Sequence, residues 1–460
     1  MTASCQLRDR FATATMDIVR PMIPRPLLFP ATQIGVALLF ACRCVIAAPL
    51  DPVTWTEIRE IVVQTNIELK SARQQIEASR FDLERAGLRP NPTLSMSTSS
   101  WRYNQSPVGR AGDLVAHLDQ SIERGGKRQL RQAQGLAALQ AAQYDLLRSE
   151  RQVLTRMAAA IIDLDSARLR RTAAQEIAAA LDRSEAIAKR RLKAGDLSEV
   201  SVGRVSADAI RARNDVTVAQ GDIHEALQNL RVLIGPEAID KLEPQRLDIE
   251  SLPVPARTVT GEGAIPVPAL ADAGAPDLAA SQRRELAAQA ALDLAKAQRT
   301  RDVTVGVQIE RTPFSNTSVF GLSMSVPLFV FNDYSADIGR ANSDVVSAQL
   351  ETRRLELQLQ ADRLRLSQGL NNAREREARL RDQALPVAVR NAETAEFAFQ
   401  RGAASVLDVL DAQRTLRSVQ IEVLNARADR LRAATSVALL EDPRLRVNPD
   451  DIGATESLPR

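Results

Sequence analysis

From Arg128 to Lys193 the sequence carries an unbroken helical pattern. About 65 residues of helix would span roughly 98 Å at 1.5 Å per residue. No single apolar stripe runs along it. Leu139, Leu146 and Val153 form one seven-residue seam, and Leu147, Leu154 and Ile161 form another beside it. A strict heptad seam calls for a supercoiled neighbour, and two seams call for a neighbour on each side. Such a helix is a stave in a larger helical assembly.

The stave ends at Ala194-Gly195-Asp196-Leu197-Ser198. Gly195 can take the positive φ that closes a helix, and Ser198 can cap the next one. The same punctuation recurs at Arg401-Gly402-Ala403-Ala404-Ser405, an offset of 207 residues. There Ser405-x-x-Asp408 has the spacing of a capping box, with Asp in the place of the usual Glu or Gln. Two hairpin tips half a chain apart predict a duplicated architecture.

The flanking segments repeat in the same order. Trp55 to about Arg89 has helical periodicity and stops at Pro90 and Pro92. Thr93–Thr98 and Leu114–Asp119 alternate apolar with polar, so a β-hairpin is predicted over 92–124. The long helix 128–193 and a helix at 198–234 complete a first repeat, 49–235. Residues 236–275, rich in proline, glycine and alanine, read as a linker. A second repeat, 276–442, then has a helix, a hairpin at 302–329, a long helix at 337–401 and a helix at 405–440. Its long helix shows seams at Leu350/Leu357/Leu364 and Leu359/Leu366. Residues 443–460 form a tail.

Composition agrees with extended helices. Aromatics make up only 3% of the 460 residues, and 60 basic residues face 57 acidic ones for a net charge of +3. Charges of both signs interspersed along helices mark solvated faces, and nothing here suggests a nucleic-acid footprint. Residues 1–48 differ: arginines precede an apolar run from Ile34 to Ala41 that closes on Ala47-Ala48, the layout of a secretory signal peptide. Met16 and Met22 are alternative starts. Cys5, Cys42 and Cys44 all lie there, so cleavage after Ala47 or Ala48 leaves no cysteine chemistry. Acylation of Cys42 is the rival processing route. His117 and His224 stand alone without metal spacing. No nucleophilic grouping or phosphate loop is evident, so neither an enzyme nor a cofactor is expected.

Each strand has one apolar and one polar face, which suits a tilted membrane strand. Four strands leave open edges that lipid cannot satisfy, so several chains would have to share a barrel. The plain structural alternative is a small sheet packed on helices.

The repeated order, the glycine tips and Leu407-Asp408-Val409-Leu410-Asp411-Ala412 resemble the TolC family of outer-membrane efflux channels. Glu123-Arg124-Gly125-Gly126-Lys127-Arg128, at the strand-to-helix turn, is similar to its heavy-metal (cobalt–zinc–cadmium) branch. The resemblance implies a mainly α fold with a small β part. Duplicated helical hairpins would form a trimeric α-barrel tunnel, and four strands per chain would complete a shared 12-stranded transmembrane β-barrel. It implies an outer-membrane location with a long periplasmic extension, and passive conduction of substrates, heavy-metal cations among them. The partners would be a homotrimer, a periplasmic adaptor (membrane fusion) protein, an inner-membrane RND-type pump and outer-membrane lipid. Asp408 and Asp411 would ring the periplasmic mouth. Gly195, Asp196, Leu197, Ser198, Gly402, Ala403 and Ser405 would contact the adaptor. The aromatic hydroxyl and Arg–Asp latch of TolC itself is missing, its positions falling on Phe399, Ala404 and Ser201, with Arg204 a candidate substitute. Rival functions are a type I secretion or multidrug efflux duct and a non-spanning periplasmic coiled-coil adaptor or scaffold.

Overall fold

The computed structural model describes residues 53–99, 113–235, 239, 247, 249–254, 274–312 and 317–447. The expected signal segment with its cysteines, most of the linker and most of the tail lie outside the described residues.

The first half of the chain runs α1 (Trp55–Thr65), α2 (Ile67–Gly87), β1 (Thr93–Ser99), β2 (Asp113–Ile122), α3 (Lys127–Lys193) and α4 (Glu199–Ile234). The second half runs α5 (Pro276–Ala297), β3 (Val303–Thr312), β4 (Thr317–Ser325), α6 (Ser335–Arg379), α7 (Leu385–Gln400) and α8 (Val406–Glu441). Two helical patterns that look continuous in sequence are interrupted. Asn66 ends α1 and caps α2, its side chain accepting from Leu69 N at 3.1 Å while its amide donates to Leu233 O at 2.8 Å. A short polar side chain that bonds backbone in this way competes with helix continuation. Between α6 and α7, Leu380–Ala384 forms a π-turn in which Leu385 N reaches back to Leu380 O. Pro386 explains it: the ring has no N–H to donate and crowds the carbonyl four residues earlier, so the helix widens by one residue.

α3 is the central stave, packed along α2, α4, α5 and α8. Both of its seams are covered by this chain: Val153, Leu154 and Ile161 are fully buried, and Leu146 packs against the same cluster. At its middle they meet Ile58, Val62 and Leu69 from α1 and α2, Leu230 and Ile234 from α4, and Leu431 and Leu439 from α8. Alanines bring the helices close, and Arg–Asp pairs cross between them. Arg427 bonds Asp165 at 3.1 Å, Arg432 bonds Asp163, and Arg151 and Arg284 of α3 and α5 reach Asp277 and Asp145 across the α3–α5 contact. Of the second half's seams, Leu359 is buried, whereas Leu350, Leu357 and Leu364 remain more than half exposed.

The strands form one antiparallel sheet in the order β1-β2-β3-β4. Register explains its two faces. The row Leu94–Leu118–Val307–Leu322 is apolar, and the adjacent row Ser95–His117–Gln308–Gly321 is polar or small. Strand side chains alternate between faces, so one side of the sheet is apolar across its middle, with Gln120 and Arg311 as polar members towards its ends; Leu322 is 86% exposed there. On the polar side space is tight: a Cβ at Gly306 would overlap Asp119 Oδ1 and Ser323 Oγ.

The mainly α chain with a small antiparallel β part is what the structure contains, but the expected barrel is corrected. The sheet is open, and β1 and β4 are unpaired edges rather than neighbours. In hydrocarbon such edges leave backbone N–H and C=O groups unsatisfied. Within this chain the four strands therefore close no β-barrel, and the helices form no closed tunnel. The outer-membrane location and the role as a passive outer-membrane conduit for heavy-metal cations rested on that barrel and are withdrawn with it. Among the described residues no helix is long and apolar enough to cross a membrane.

Candidate functional site at the paired hairpin tips

Both tips are built by the same local rule. At the first, Gly195 has φ 81°, its N–H donates to Leu192 O at 3.0 Å, and Asp196 N donates to Arg191 O at 2.9 Å. At the second, Gly402 has φ 80°, its N–H donates to Phe399 O at 3.1 Å, and Ala403 N donates to Ala398 O at 2.8 Å. This pair of bonds, 6→1 and 5→2, is the Schellman closure that satisfies the last carbonyls of a helix. Ser198 then caps α4 by accepting from Ser201 N, and Ser405 caps α8 by accepting from Asp408 N at 3.2 Å.

The tips sit side by side. Phe399, fully buried, shares an apolar cluster with Leu181 of α3, Val202 and Val205 of α4, and Val406, Val409 and Leu410 of α8. Arg191 crosses from the first tip to the second, its Nη1 donating to Phe399 O at 3.3 Å with the guanidinium 5.2 Å from the ring centroid. Gly195, Asp196, Ser198, Gly402, Ala403 and Ser405 are exposed, and Leu197 is half-buried against the cluster. A β-branched residue in the left-handed conformation costs roughly 1–2 kcal/mol. Gly402→Val should therefore loosen the second tip, visible as faster amide exchange at Ala403 and Ala404 with the distal helices unaffected. Unchanged exchange would mean that the turn tolerates a side chain.

Asp408 and Asp411 are both exposed, three residues apart on the first and second turns of α8. Asp408 completes a reciprocal capping box, accepting from Ser405 N at 2.9 Å and from Ser405 Oγ at 2.8 Å. The Ser405 hydroxyl first, and its backbone N–H second, hold this carboxyl below the usual aspartate range. A carboxylate with a depressed folded-state pKa stabilises the fold above its unfolded pKa, and that contribution is lost as pH falls through the folded value. A carboxyl-carbon NMR titration should thus place Asp408 below about 3.9; a midpoint at or above that value would remove the cap.

Phe399 and Ser201, where the TolC latch would fall, do other work: Phe399 holds Arg191, and Ser201 Oγ lies 2.9 Å from Ser198 Oγ. Arg204 is exposed. Instead, α4 and α8 are tied about one and three turns beyond Arg204 by Asp208, which bonds Arg211 at 3.2 Å and Arg414 at 2.7 Å, and by Asp215, which meets Arg417 at 2.7 Å. The heptad spacing of Asp208 and Asp215 is the sequence signal that could have found them.

At the opposite end of α3, Gly125 (φ 76°) and Gly126 (φ 70°) turn the chain from β2 into the helix. A Cβ at Gly125 would stand 2.8 Å from Thr300 Cβ. Lys127 is only 4% exposed; its Nζ donates at 2.9 Å to Thr300 O and to both oxygens of Asp302, whose Oδ1 also accepts from Arg124 N. Arg131 bonds Glu123 through both terminal nitrogens and, chiefly by that hydrogen bond, holds its carboxyl below the usual glutamate range. Arg128 is half-buried beside this knot. The turn locks the start of α3 to the α5–β3 connection. His117 lies on the polar face of the sheet, and His224 Nδ1 is 2.8 Å from Gln220 O.

Long paired helical hairpins, closed by twin tips at one end of α3 and joined to a small amphipathic sheet at the other, are the architecture in which these residues are set. The chain belongs to the outer membrane efflux protein family, whose model matches residues 60–236 and 267–440. It is 25% identical to the cobalt-zinc-cadmium resistance protein CzcC of Cupriavidus metallidurans over 438 residues, 94% of this chain and 95% of that one. It is also 25% identical to the pyoverdine export outer membrane protein OpmQ of Pseudomonas aeruginosa, over 68% of this chain and 66% of that one. Among solved structures, the CmeC outer membrane channel of Campylobacter jejuni superposes with a TM-score of 0.69 at 15% identity, covering 84% of this chain and 85% of that one.

Proposed function

We propose that the chain is a long periplasmic helical element of an efflux assembly, a duct or scaffold that docks an adaptor protein through its paired hairpin tips. Membership of an efflux family implies work alongside an adaptor and an inner-membrane pump. The observation that carries the docking role is the pair of tips: two identical Schellman turns, cross-tied by Arg191, present small residues and backbone at one end of a helix roughly 100 Å long. Strongly charged helices with no long apolar segment support a periplasmic body, and the sheet is given no membrane-crossing role in this reading. Self-association as a homotrimer is supported by the exposed Leu350/Leu357/Leu364 seam, which this chain leaves without a neighbour.

For the cargo we infer the heavy-metal class and an RND-type pump, supported by similarity to the cobalt-zinc-cadmium resistance protein along nearly the whole chain. Asp408 and Asp411 are the carboxylates that would meet cations at the tip end. Deletion of the gene should raise sensitivity to cobalt, zinc and cadmium, and Asp408→Asn/Asp411→Asn should restore resistance less well than the native chain. Metal sensitivity left unchanged while export of an organic compound is lost would select the multidrug or secretion duct. Fractionation tests the placement: recovery of the mature chain with periplasmic proteins supports it, and recovery only as a detergent-extracted outer-membrane oligomer refutes it.

A further inference from the structure

The two tips share a backbone but differ in side chains. At the 207-residue offset, Arg190 and Arg191 correspond to Phe397 and Ala398. The first tip is therefore cationic where the second is apolar, and a duplicated turn alone does not require that. Between the end of α3 and α7 lies a groove of 510 Å³ lined by Arg183, Ala186, Ile187, Arg190, Arg191 and Gln400.

The acids near this groove are already engaged. Glu185 pairs with Lys189 at 2.8 Å and Arg213 at 3.3 Å and accepts from Ser206 Oγ at 2.7 Å. Asp182 takes Arg213 at 2.6 Å, and Glu396 takes Arg183 at 3.3 Å. Among the described residues no carboxylate pairs with Arg190 or Arg191. Arg191 is also held in place: one nitrogen is spent on Phe399 O and its guanidinium carbon lies 5.2 Å over the Phe399 ring, which leaves the remaining donors of the fork held by a buried anchor. A pre-positioned guanidinium loses less entropy on binding and matches the two oxygens of a carboxylate.

We propose that this groove seats a carboxylate-bearing segment of the docked partner, with Arg190 and Arg191 as its cationic pair and Gln400 as an amide donor. This deepens the docking role proposed above and rests on it. The partner face is acidic because the groove carries unmatched positive charge, and Ile187 and Ala186 give its floor room for an apolar side chain beside the carboxylate.

The test uses the full-length protein and a fluorescein-labelled hexaglutamate peptide, with hexalysine as the control. Saturable binding of hexaglutamate alone is expected, weakening with added salt. Arg190→Glu, at an exposed position with no side-chain partner among the described residues, should weaken binding at least tenfold, whereas Arg190→Lys should keep most of it. Arg204→Glu, at the other side of the tip, should change it less than twofold. Equal binding by native protein and Arg190→Glu overturns the proposal, as does an equal loss in Arg204→Glu, which would reveal a diffuse charge effect. Disulfide or bifunctional cross-linking from Ala403→Cys to the cognate adaptor reports docking separately. A cross-link with unaltered peptide binding in Arg190→Glu sinks the groove and spares the docking, while peptide binding without a cross-link does the reverse.

Discussion

Phe399→Ala should destabilise the tip end of the molecule by about 3–5 kcal/mol, the range for emptying a fully buried phenylalanine site. The ring has no exposed surface and lies among side chains of α3, α4 and α8, so little around it can collapse without moving a helix. The same change strips Arg191 of its stacking surface but leaves its hydrogen bond to the residue 399 carbonyl. The effect should be local: proteolysis near 195–205 and 398–410 should accelerate while the mid-helix cluster around Leu154 stays protected. Phe399→Leu, which refills much of the volume, should recover more than half of the loss. If Phe399→Ala unfolds at the denaturant concentration of the native chain and its tips resist protease equally, the two hairpins are not coupled through this residue.

Lys127→Met should be nearly as damaging, for an electrostatic reason. The ammonium is buried and fully engaged by Thr300 O and the two oxygens of Asp302. Removing it leaves Asp302 without its cation. Breaking one half of a buried pair costs about 3–5 kcal/mol, and the lower end is expected because Asp302 keeps 31% of its side-chain exposure. A second change, Asp302→Asn, should recover much of the loss, since the penalty comes from the stranded charge rather than from the absent lysine. Urea unfolding of the native chain, the single variant and the double variant forms the test. A single variant within 1 kcal/mol of native, on the scale of an exposed pair, would mean that the turn is held by Gly125, Gly126 and backbone alone. Hydrogen exchange should localise the damage to the start of α3 and the α5–β3 connection, the two segments this lysine joins.

Much of the helical architecture was legible because its determinants are local. Heptad seams at Leu139/Leu146/Val153 and Leu147/Leu154/Ile161 declare a helix with neighbours on two sides. A glycine followed three residues later by serine declares a Schellman turn and an N-cap, and both pairs form these bonds. Period-two alternation likewise announced all four strands. Two breaks in the helices also obey local rules. Asn66 and Pro386 each carry a recognised helix-breaking mechanism, yet the strong periodicity on either side hides them.

The hairpin tips, the strands with their two faces and most of the helices are local properties, because hydrogen-bond geometry and side-chain period act within a few residues. Tertiary structure decided how those elements meet. That the sheet ends in two open edges depends on β2 pairing with β3 across 181 or more positions of chain, and no local pattern encodes closure. That Asp208 chooses Arg414, Asp215 chooses Arg417 and Lys127 chooses Asp302 depends on helix registers across long separations. Arg191 lying over Phe399, and hence a groove whose Arg190 and Arg191 pair with no carboxylate among the described residues, follows only once two tips written 207 residues apart are brought together by the packing of α3 against α4 and α8.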